Sequence, residues 1–190
     1  LLSFPQNKRA QERLAALNKS QDHHVTQNPP QEIVDQLINL YNQGQFKSMA
    51  EQAQSLAEQY PKAFIIWNCL GVANLNLGDL EQASLAFKKV TELNPNYADG
   101  YNNLGVVLKD QGKLDEAIEV FDKALLINPN YANVHYNLGN SLQHQGKLDK
   151  AVNAYKKFTL LCPHNAIAYN NMGVALQNQI KLDEAIEAYN

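Results

Sequence analysis

Apolar residues recur along this chain with the spacing of short amphipathic helices, and the whole pattern repeats. In each unit, apolar residues take positions i, i+3, i+4 and i+7, which is one face of an α-helix, and a second apolar series follows a glycine. The glycines at this break are Gly44, Gly78, Gly112 and Gly146, each 34 residues from the next. The pattern therefore predicts pairs of helices joined by short turns.

The same 34-residue interval separates the members of three further sets of residues. These are Gly71, Gly105, Gly139 and Gly173, then Pro61, Pro95, Pro129 and Pro163, and Ala83, Ala117, Ala151 and Ala185. A fixed period of this length is typical of a solenoid, in which each helical pair stacks on the next. Numbering each unit 1 to 34 with proline at position 32 gives repeats at residues 30–63, 64–97, 98–131, 132–165 and a truncated repeat at 166–190.

We name the first helix of each unit helix A and the second helix B. Helix A is predicted to bury positions 4, 7, 8 and 11, and helix B positions 17, 20, 24 and 27. In the third repeat these residues are Tyr101, Leu104, Gly105 and Leu108, then Leu114, Ala117, Phe121 and Ala124. An acidic residue lies in the first turn of helix B, where it complements the helix dipole, at Asp115, Asp149 and Asp183.

The pattern Trp-x-x-Leu-Gly, then Ala-x-x-x-Phe, then Pro, which runs from Trp67 to Pro95, resembles the tetratricopeptide repeat. The resemblance covers roughly residues 30–190 and rests on four in-phase copies. It implies an all-α fold, a right-handed superhelical solenoid of helix-turn-helix repeats whose A helices line the concave side. The first repeat departs from the pattern, with Gln36 and Leu37 at positions 7 and 8, so we expect its first helix to pack less regularly.

Residues 1–29 stand apart from the repeats. Ala10, Leu14 and Leu17 predict an amphipathic helix within residues 1–19, which we interpret as the remnant of a further repeat. Residues 20–29 are polar and end in two prolines, which predicts a linker. His23 and His24 have no third ligand nearby, so we assign them to this linker and not to a metal site.

Composition limits the classes of partner. The chain has 16 Lys plus Arg against 19 Asp plus Glu, so it carries no surplus of positive charge for nucleic acid. No apolar run approaches the ~18 residues of a membrane span, so we expect no membrane insertion. Two widely separated cysteines, Cys69 and Cys162, fit a reducing compartment, and we predict a cytoplasmic location.

The sequence carries no signature of catalysis. It has no phosphate-binding glycine loop and no nucleophile elbow, and neither cysteine has a base at a recognisable spacing. His135 takes the aromatic position 4, which predicts a packed side chain. We therefore expect no enzyme activity, no cofactor and no metal ion in this chain.

The surface of helix A holds the candidate binding residues. Positions 2, 6, 9 and 13 fall opposite the predicted core on a helical wheel. In repeats two to five only Asp99 and Asp110 among them are charged, and the rest are mainly amide or apolar where a solvated face would carry Lys and Glu. Position 6 is Asn103, Asn137 and Asn171, with Cys69 in the second repeat. An Asn side chain can bond both the C=O and the N–H of an extended peptide main chain. The other candidates are Asn68, Asn102, Asn140, Asn170, Asn178, His144 and Asp110.

This row of asparagines resembles the asparagine ladder in the tetratricopeptide superhelix of O-linked N-acetylglucosamine transferase. The alternative interpretation is that Asn at position 6 bonds adjacent helices of the solenoid. A carboxylate clamp, the second binding mode of the family, needs Lys or Arg on these helices, and Lys109 at position 12 is the nearby cation. The sequence therefore disfavours a clamp.

Two classes of function follow from these features. The first is a protein-protein interaction scaffold that binds extended peptide segments in the concave groove of the A helices. The second is a substrate-recognition arm of a larger glycosyltransferase or sulfotransferase, since the Asn-Pro-Asn-Tyr-Ala style of these repeats resembles repeats that precede such domains. Residue 190 falls within a predicted helix, and the catalytic domain is expected beyond it. Self-association through an exposed solenoid end, at Ala188 and Tyr189, is a further expectation.

Overall fold

The computed structural model describes residues 28–179 and 182–189, which form ten α-helices and no strand. In chain order α1 to α10 span Gln31–Asn42, Phe46–Gln59, Phe64–Asn76, Leu80–Leu93, Ala98–Asp110, Leu114–Ile127, Ala132–His144, Leu148–Leu161, Ala166–Asn178 and Leu182–Tyr189. Odd-numbered helices are the A helices and even-numbered helices the B helices, which confirms the all-α solenoid. The helix predicted before residue 20 and the linker to residue 27, with His23 and His24, lie outside the described residues.

A glycine in the left-handed conformation ends each of the first four A helices. Gly112, for example, has φ +77°, a value that a side chain disfavours. Its N–H donates to the Lys109 carbonyl at 2.9 Å, and the N–H of Lys113 donates to the Leu108 carbonyl at 2.9 Å. These two bonds form a Schellman motif, which satisfies the last carbonyls of α5 and turns the chain toward α6.

The second glycine series brings helix A against helix B of the same repeat. A Cβ atom on Gly105 would lie 2.4 Å from Cε1 of Phe121, and one on Gly71 would lie 2.6 Å from Cε1 of Phe87. Such distances are well inside van der Waals contact, so position 8 accepts only glycine next to an aromatic ring at position 24.

Burial on helix A is wider than the sequence predicted. Position 10 is fully buried in the second to fifth repeats, at Ala73, Val107, Ser141 and Ala175. Position 3 is buried as well, at Ile66, Gly100, Val134 and Ala168. A Cβ atom on Gly100 would lie 2.7 Å from Cγ1 of Val90, so a small residue is required where α5 packs on the preceding repeat. Small or polar residues alternate with large apolar ones at both positions, so neither position shows the same apolar residue from repeat to repeat.

Successive repeats approach each other more closely through their A helices than through their B helices. Within the described residues, α1, α3, α5 and α7 each have Cα atoms within 8 Å of the next A helix, whereas no such pair joins successive B helices. A stack that is tighter on one side curves toward that side. The A helices thus lie on the inside of the curve.

Aspartates in the first turns of the B helices also accept hydrogen bonds from glutamines of the next repeat. Oδ1 of Asp115 accepts a hydrogen bond from Nε2 of Gln145 at 2.8 Å, and Nζ of Lys147 lies 3.8 Å away. Asp149 accepts the equivalent bond from Gln179 at 3.0 Å. The side chain of Asp183 lies outside the described residues.

The two ends of the repeat array differ from expectation in detail. In the first repeat α1 forms a regular helix that buries Val34 and Leu37, while Gln36 is exposed. In α10, Ala188 is only 6% exposed, so it does not form the open apolar surface assigned to it from sequence. Ile186, at 59% exposure, is the large apolar side chain that α10 exposes among its described side chains.

Candidate functional site

Each asparagine at position 6 of helix A donates a hydrogen bond to position 5 of the preceding repeat. Nδ2 of Asn103 lies 3.3 Å from Oδ1 of Asn68, and Nδ2 of Asn137 lies 3.1 Å from Oδ1 of Asn102. Nδ2 of Asn171 lies 3.2 Å from the hydroxyl of Tyr136. All three pairs are 35 residues apart in sequence, so the bonds recur with the repeat.

These bonds join into one directed chain across three repeats. Asn137 donates to Asn102, Asn102 donates to Oδ1 of Asn103 at 3.4 Å, and Asn103 donates to Asn68. Every member is half-buried. Amide groups aligned in the same direction polarise one another, so the row stabilises the stacking of the A helices.

The fourth repeat adds a tyrosine to this row from helix B. The Tyr155 hydroxyl lies 2.8 Å from Oδ1 of Asn140 and 2.7 Å from Oε1 of Gln143. Nδ2 of Asn171 also bonds Oδ1 of Asn140, at 3.3 Å. Burial raises the pKa of Tyr155, so the hydroxyl is neutral and can donate at physiological pH.

The three asparagines at position 6, which we call the rungs of the amide row, therefore use part of their hydrogen-bonding capacity in contacts within the solenoid. Both N–H groups of Asn171 have acceptors, while Oδ1 of Asn103 already accepts from Asn102. Asn137 uses one N–H, and its Oδ1 accepts no bond from the described residues. Of the three rungs, Asn137 thus keeps both a donor and an acceptor, Asn171 keeps an acceptor, and Asn103 keeps a donor.

The other sequence candidates divide into Asn68, Asn102 and Asn140, which bond within the amide row, and four exposed residues. Asn170, Asn178 and His144 are exposed on the A helices. Asp110 is exposed too, and its Oδ1 lies 3.2 Å from Nζ of Lys109. The nearby cation considered for a carboxylate clamp thus forms an ion pair with the next residue in the chain.

The wheel assignment of the outer face of helix A requires a correction. Positions 2 and 13 are exposed in the third and fourth repeats, but position 6 is half-buried, and in the second repeat it is the buried Cys69. The reason is that the next A helix packs along this side, which a wheel of one helix does not show. Burial raises the pKa of the Cys69 thiol from 9.0 to about 11, so it is a poor nucleophile at neutral pH.

In two repeats the side chain at position 4 forms a hydrogen bond with a backbone carbonyl of the turn before helix A. Nε2 of His135 lies 2.9 Å from the Pro129 carbonyl oxygen, and Nε1 of Trp67 donates to the Pro61 carbonyl at 3.0 Å. His135 is buried, which confirms the predicted packed side chain and assigns it a structural bond.

The described part of the chain has neither a cluster of metal-ligating side chains nor a helix that could span a membrane. It contains no group of three or more His, Cys, Asp or Glu side chains placed to hold a metal ion. None of its helices has the length and apolar character that crossing a bilayer requires.

Comparisons with known proteins agree with this architecture. A family model described as TPR repeat matches residues 75–112, 107–146 and 142–179. A solved structure of MamA is 25% identical, with a TM-score of 0.76 over 80% of this chain and 88% of that one. MamA from Desulfovibrio magneticus RS-1 is 21% identical, with a TM-score of 0.77 over 84% of this chain and 90% of that one.

A third structure carries a description of binding. YrrB, described as a TPR protein with an unusual peptide-binding site, is 20% identical, with a TM-score of 0.71 over 82% of this chain and 80% of that one. At this identity the likeness concerns the fold alone. A search of curated protein sequences finds no significant match.

Proposed function

This chain belongs to the tetratricopeptide repeat family, and from that premise we propose that it is a protein-interaction scaffold whose A helices bind an extended peptide segment. The observation that carries the proposal is the half-buried amide row on the inner side of the curve. The row is nearly free of ionic side chains, and it retains hydrogen-bonding atoms after the contacts between repeats are made.

The remaining atoms define how the peptide is held. Asn137 offers an N–H and an Oδ1, which match the C=O and the N–H of one residue of an extended main chain. Asn171 offers an Oδ1 to a peptide N–H, and Asn103 offers an N–H to a peptide C=O. Neighbouring A helices are ~8–10 Å apart and an extended chain advances ~3.3 Å per residue, so each rung meets about every third peptide residue.

The apolar neighbours of the row give the peptide a second type of contact. Position 9 is Val72, Val106 and Val174 in three repeats, and all three side chains are half-exposed. Alternate side chains of an extended peptide can pack on these valines while its main chain bonds the amides. Recognition of this kind depends little on charge, so affinity for the peptide should change only slightly between low and moderate salt.

The test is a peptide-library screen with the 190-residue chain, followed by affinity measurement on Asn137→Ala combined with Asn171→Ala. We expect at least a tenfold loss of affinity, because two hydrogen bonds of ~1 kcal/mol each are removed. Asn153→Ala, an exposed asparagine on the opposite side of the fourth repeat, is the matched control and should bind normally. A selected peptide whose affinity survives the double change refutes the amide ladder.

The interpretation of the chain as a substrate-recognition arm for a glycosyltransferase or sulfotransferase uses the same groove. It differs in the partner, since the peptide would then be the acceptor substrate of an attached catalytic domain. The groove variants above apply to both interpretations, and the selected peptide sequences separate them, because an acceptor peptide contains a hydroxyl-bearing residue.

A further inference from the structure

We propose that the outer faces of α6 and α8 form one self-complementary surface through which two copies of this chain associate. This surface is built from B helices and is separate from the amide row on the A helices. It rests on three observations, which are the alignment of the two helices, two exposed leucines, and an opposite distribution of charge.

The two helices lie side by side and level with each other. Near their first turns, Nζ of Lys147 is 3.8 Å from Oδ1 of Asp115. Near their last turns they border one pocket of about 420 Å³, lined by Leu125 of α6, by Leu160 and Leu161 of α8, and by Pro129, Asn130, His135 and Lys157. The B helices thus present an outer surface with a cleft between them.

An exposed leucine takes the same position in the last turns of both helices; Leu160 lines the cleft, and Leu126 follows Leu125, which lines it. Leu126 is 83% exposed and Leu160 is 77% exposed, and both take position 29 of their repeats. The second repeat has Glu92 at this position, so the repeat pattern does not require an apolar residue there. Covering exposed leucines and the apolar lining of a pocket with a second surface is favourable, because it removes apolar area from water.

The exposed charges of the two helices are opposite in sign. On α6 the exposed charged residues are Asp115, Glu116, Glu119, Asp122 and Lys123, and on α8 they are Asp149, Lys150, Lys156 and Lys157. The first set is thus four carboxylates and one ammonium group, and the second is three ammonium groups and one carboxylate. The surface carries a negative and a positive half.

A second copy of the chain supplies the complement of this surface. A two-fold rotation about an axis that runs along and between the helices places α6 of one copy over α8 of the other, twice. Carboxylates then face ammonium groups in both halves, and the leucines of the two copies meet. Because the contact involves two helices per copy, we expect a weak dimer at the lower end of interface sizes, favoured by low salt.

Two charge-reversal variants test the proposal by sedimentation velocity over ~10–500 µM protein. Glu116→Lys with Glu119→Lys makes both halves positive, and Lys156→Glu with Lys157→Glu makes both halves negative. We expect the unchanged chain to form dimers at low salt and each variant alone to stay monomeric. An equimolar mixture of the two variants should dimerise, because each positive half then faces a negative half.

The controls separate this contact from general charge attraction and from other surfaces. Glu51→Lys with Glu58→Lys on α2 adds the same charge elsewhere. It should still form its own dimers, and it should not draw the negative variant into mixed dimers. Leu126→Asn with Leu160→Asn should weaken the dimer at least tenfold, with an unchanged circular dichroism spectrum.

Three results overturn the proposal. The first is a chain that stays monomeric at low salt up to ~500 µM, and the second is a dimer unaffected by the charge reversals. The third is a dimer lost on Ile186→Glu but kept in both charge variants, which would assign association to the solenoid end. Because no residue of the amide row is changed in any of these variants, peptide binding provides an independent readout.

Discussion

Asn137 donates its side-chain N–H to the side-chain oxygen of Asn102, 35 residues earlier and one repeat away, at 3.1 Å. The bond has counterparts between Asn103 and Asn68 and between Asn171 and Tyr136. Asparagine at position 6 therefore has a role in stacking before any ligand arrives. It also means that stability and peptide affinity must be measured separately for every change in this row.

The first prediction concerns that stacking role. Asn137→Ala should lower the free energy of unfolding by about 1–2 kcal/mol, because it leaves the half-buried Oδ1 of Asn102 without its donor. Urea denaturation measures the change. Asn133→Ala, at an exposed position of the same helix, should stay within about 0.5 kcal/mol of the unchanged chain. Equal stability of the two variants would contradict the stacking role.

The second prediction concerns the close approach of α5 and α6. Gly105→Ala should destabilise the chain by about 1–3 kcal/mol, because its Cβ would lie 2.4 Å from Cε1 of Phe121. In a Phe121→Leu background the same change should be less harmful, since the ring edge is gone. Chemical denaturation of the four proteins gives the coupling energy.

Gly112→Ala is the matched control for this cycle. It meets nothing within 4 Å but has φ +77°, so it should cost about 1 kcal/mol in both backgrounds. A Gly105→Ala variant that is equally harmful with and without the Phe121 ring would show that the ring is not the obstacle.

Periodicity predicted the helices and the turns between them, because the apolar spacing and the glycines that mark it are local features repeated every 34 residues. It did not predict the burial of Ser141 or the need for Gly100, since small and polar residues carry no apolar signal. The sequence also left the hydrogen-bond partners of the amide row undetermined, because a partner 35 residues away depends on how the repeats stack. The asparagines, and the alternative that they bond adjacent helices, came from the sequence, but their particular partners at position 5 of the preceding repeat did not.

The third prediction concerns pH and the Cys69 thiol. Burial raises the pKa of this thiol in the folded chain from 9.0 to about 11, so unfolding favours loss of its proton. Its contribution to stability is complete below about pH 9 and declines as pH rises toward 11. Between pH 8 and pH 10 this amounts to about 1 kcal/mol.

Cys69→Ala should therefore show a shallower loss of stability between pH 8 and pH 10 than the unchanged chain. Burial also raises the pKa of Tyr97, so this tyrosine adds to the loss in both proteins. The Cys69 thiolate raises the pKa of Tyr97 further, so the difference between the two proteins reports the thiol together with its effect on Tyr97. Parallel pH profiles for the two proteins would show that Cys69 is not the titrating group.

The fourth prediction concerns a pair of positions that change together along the array. Position 24 is Phe with Val at position 9 in the second and third repeats, whereas the fourth has Tyr155 with Asn140. In the structure the Tyr155 hydroxyl lies 2.8 Å from Oδ1 of Asn140, so the two polar groups satisfy each other inside the repeat.

Tyr155→Phe alone should destabilise the chain by about 1 kcal/mol, and Asn140→Val alone by about 1–3 kcal/mol, because Asn140→Val leaves the buried hydroxyl with Gln143 as its one remaining partner. The double variant reproduces the Phe and Val pair of the third repeat and should recover the part of the loss that comes from the tyrosine, with a coupling energy of at least about 0.5 kcal/mol. The bond from Nδ2 of Asn171 to Oδ1 of Asn140 stays lost in both Asn140→Val proteins. Equilibrium unfolding in urea of the single and double variants measures it. Additive losses would mean that the two side chains act independently and that the tyrosine is tied to Gln143 instead.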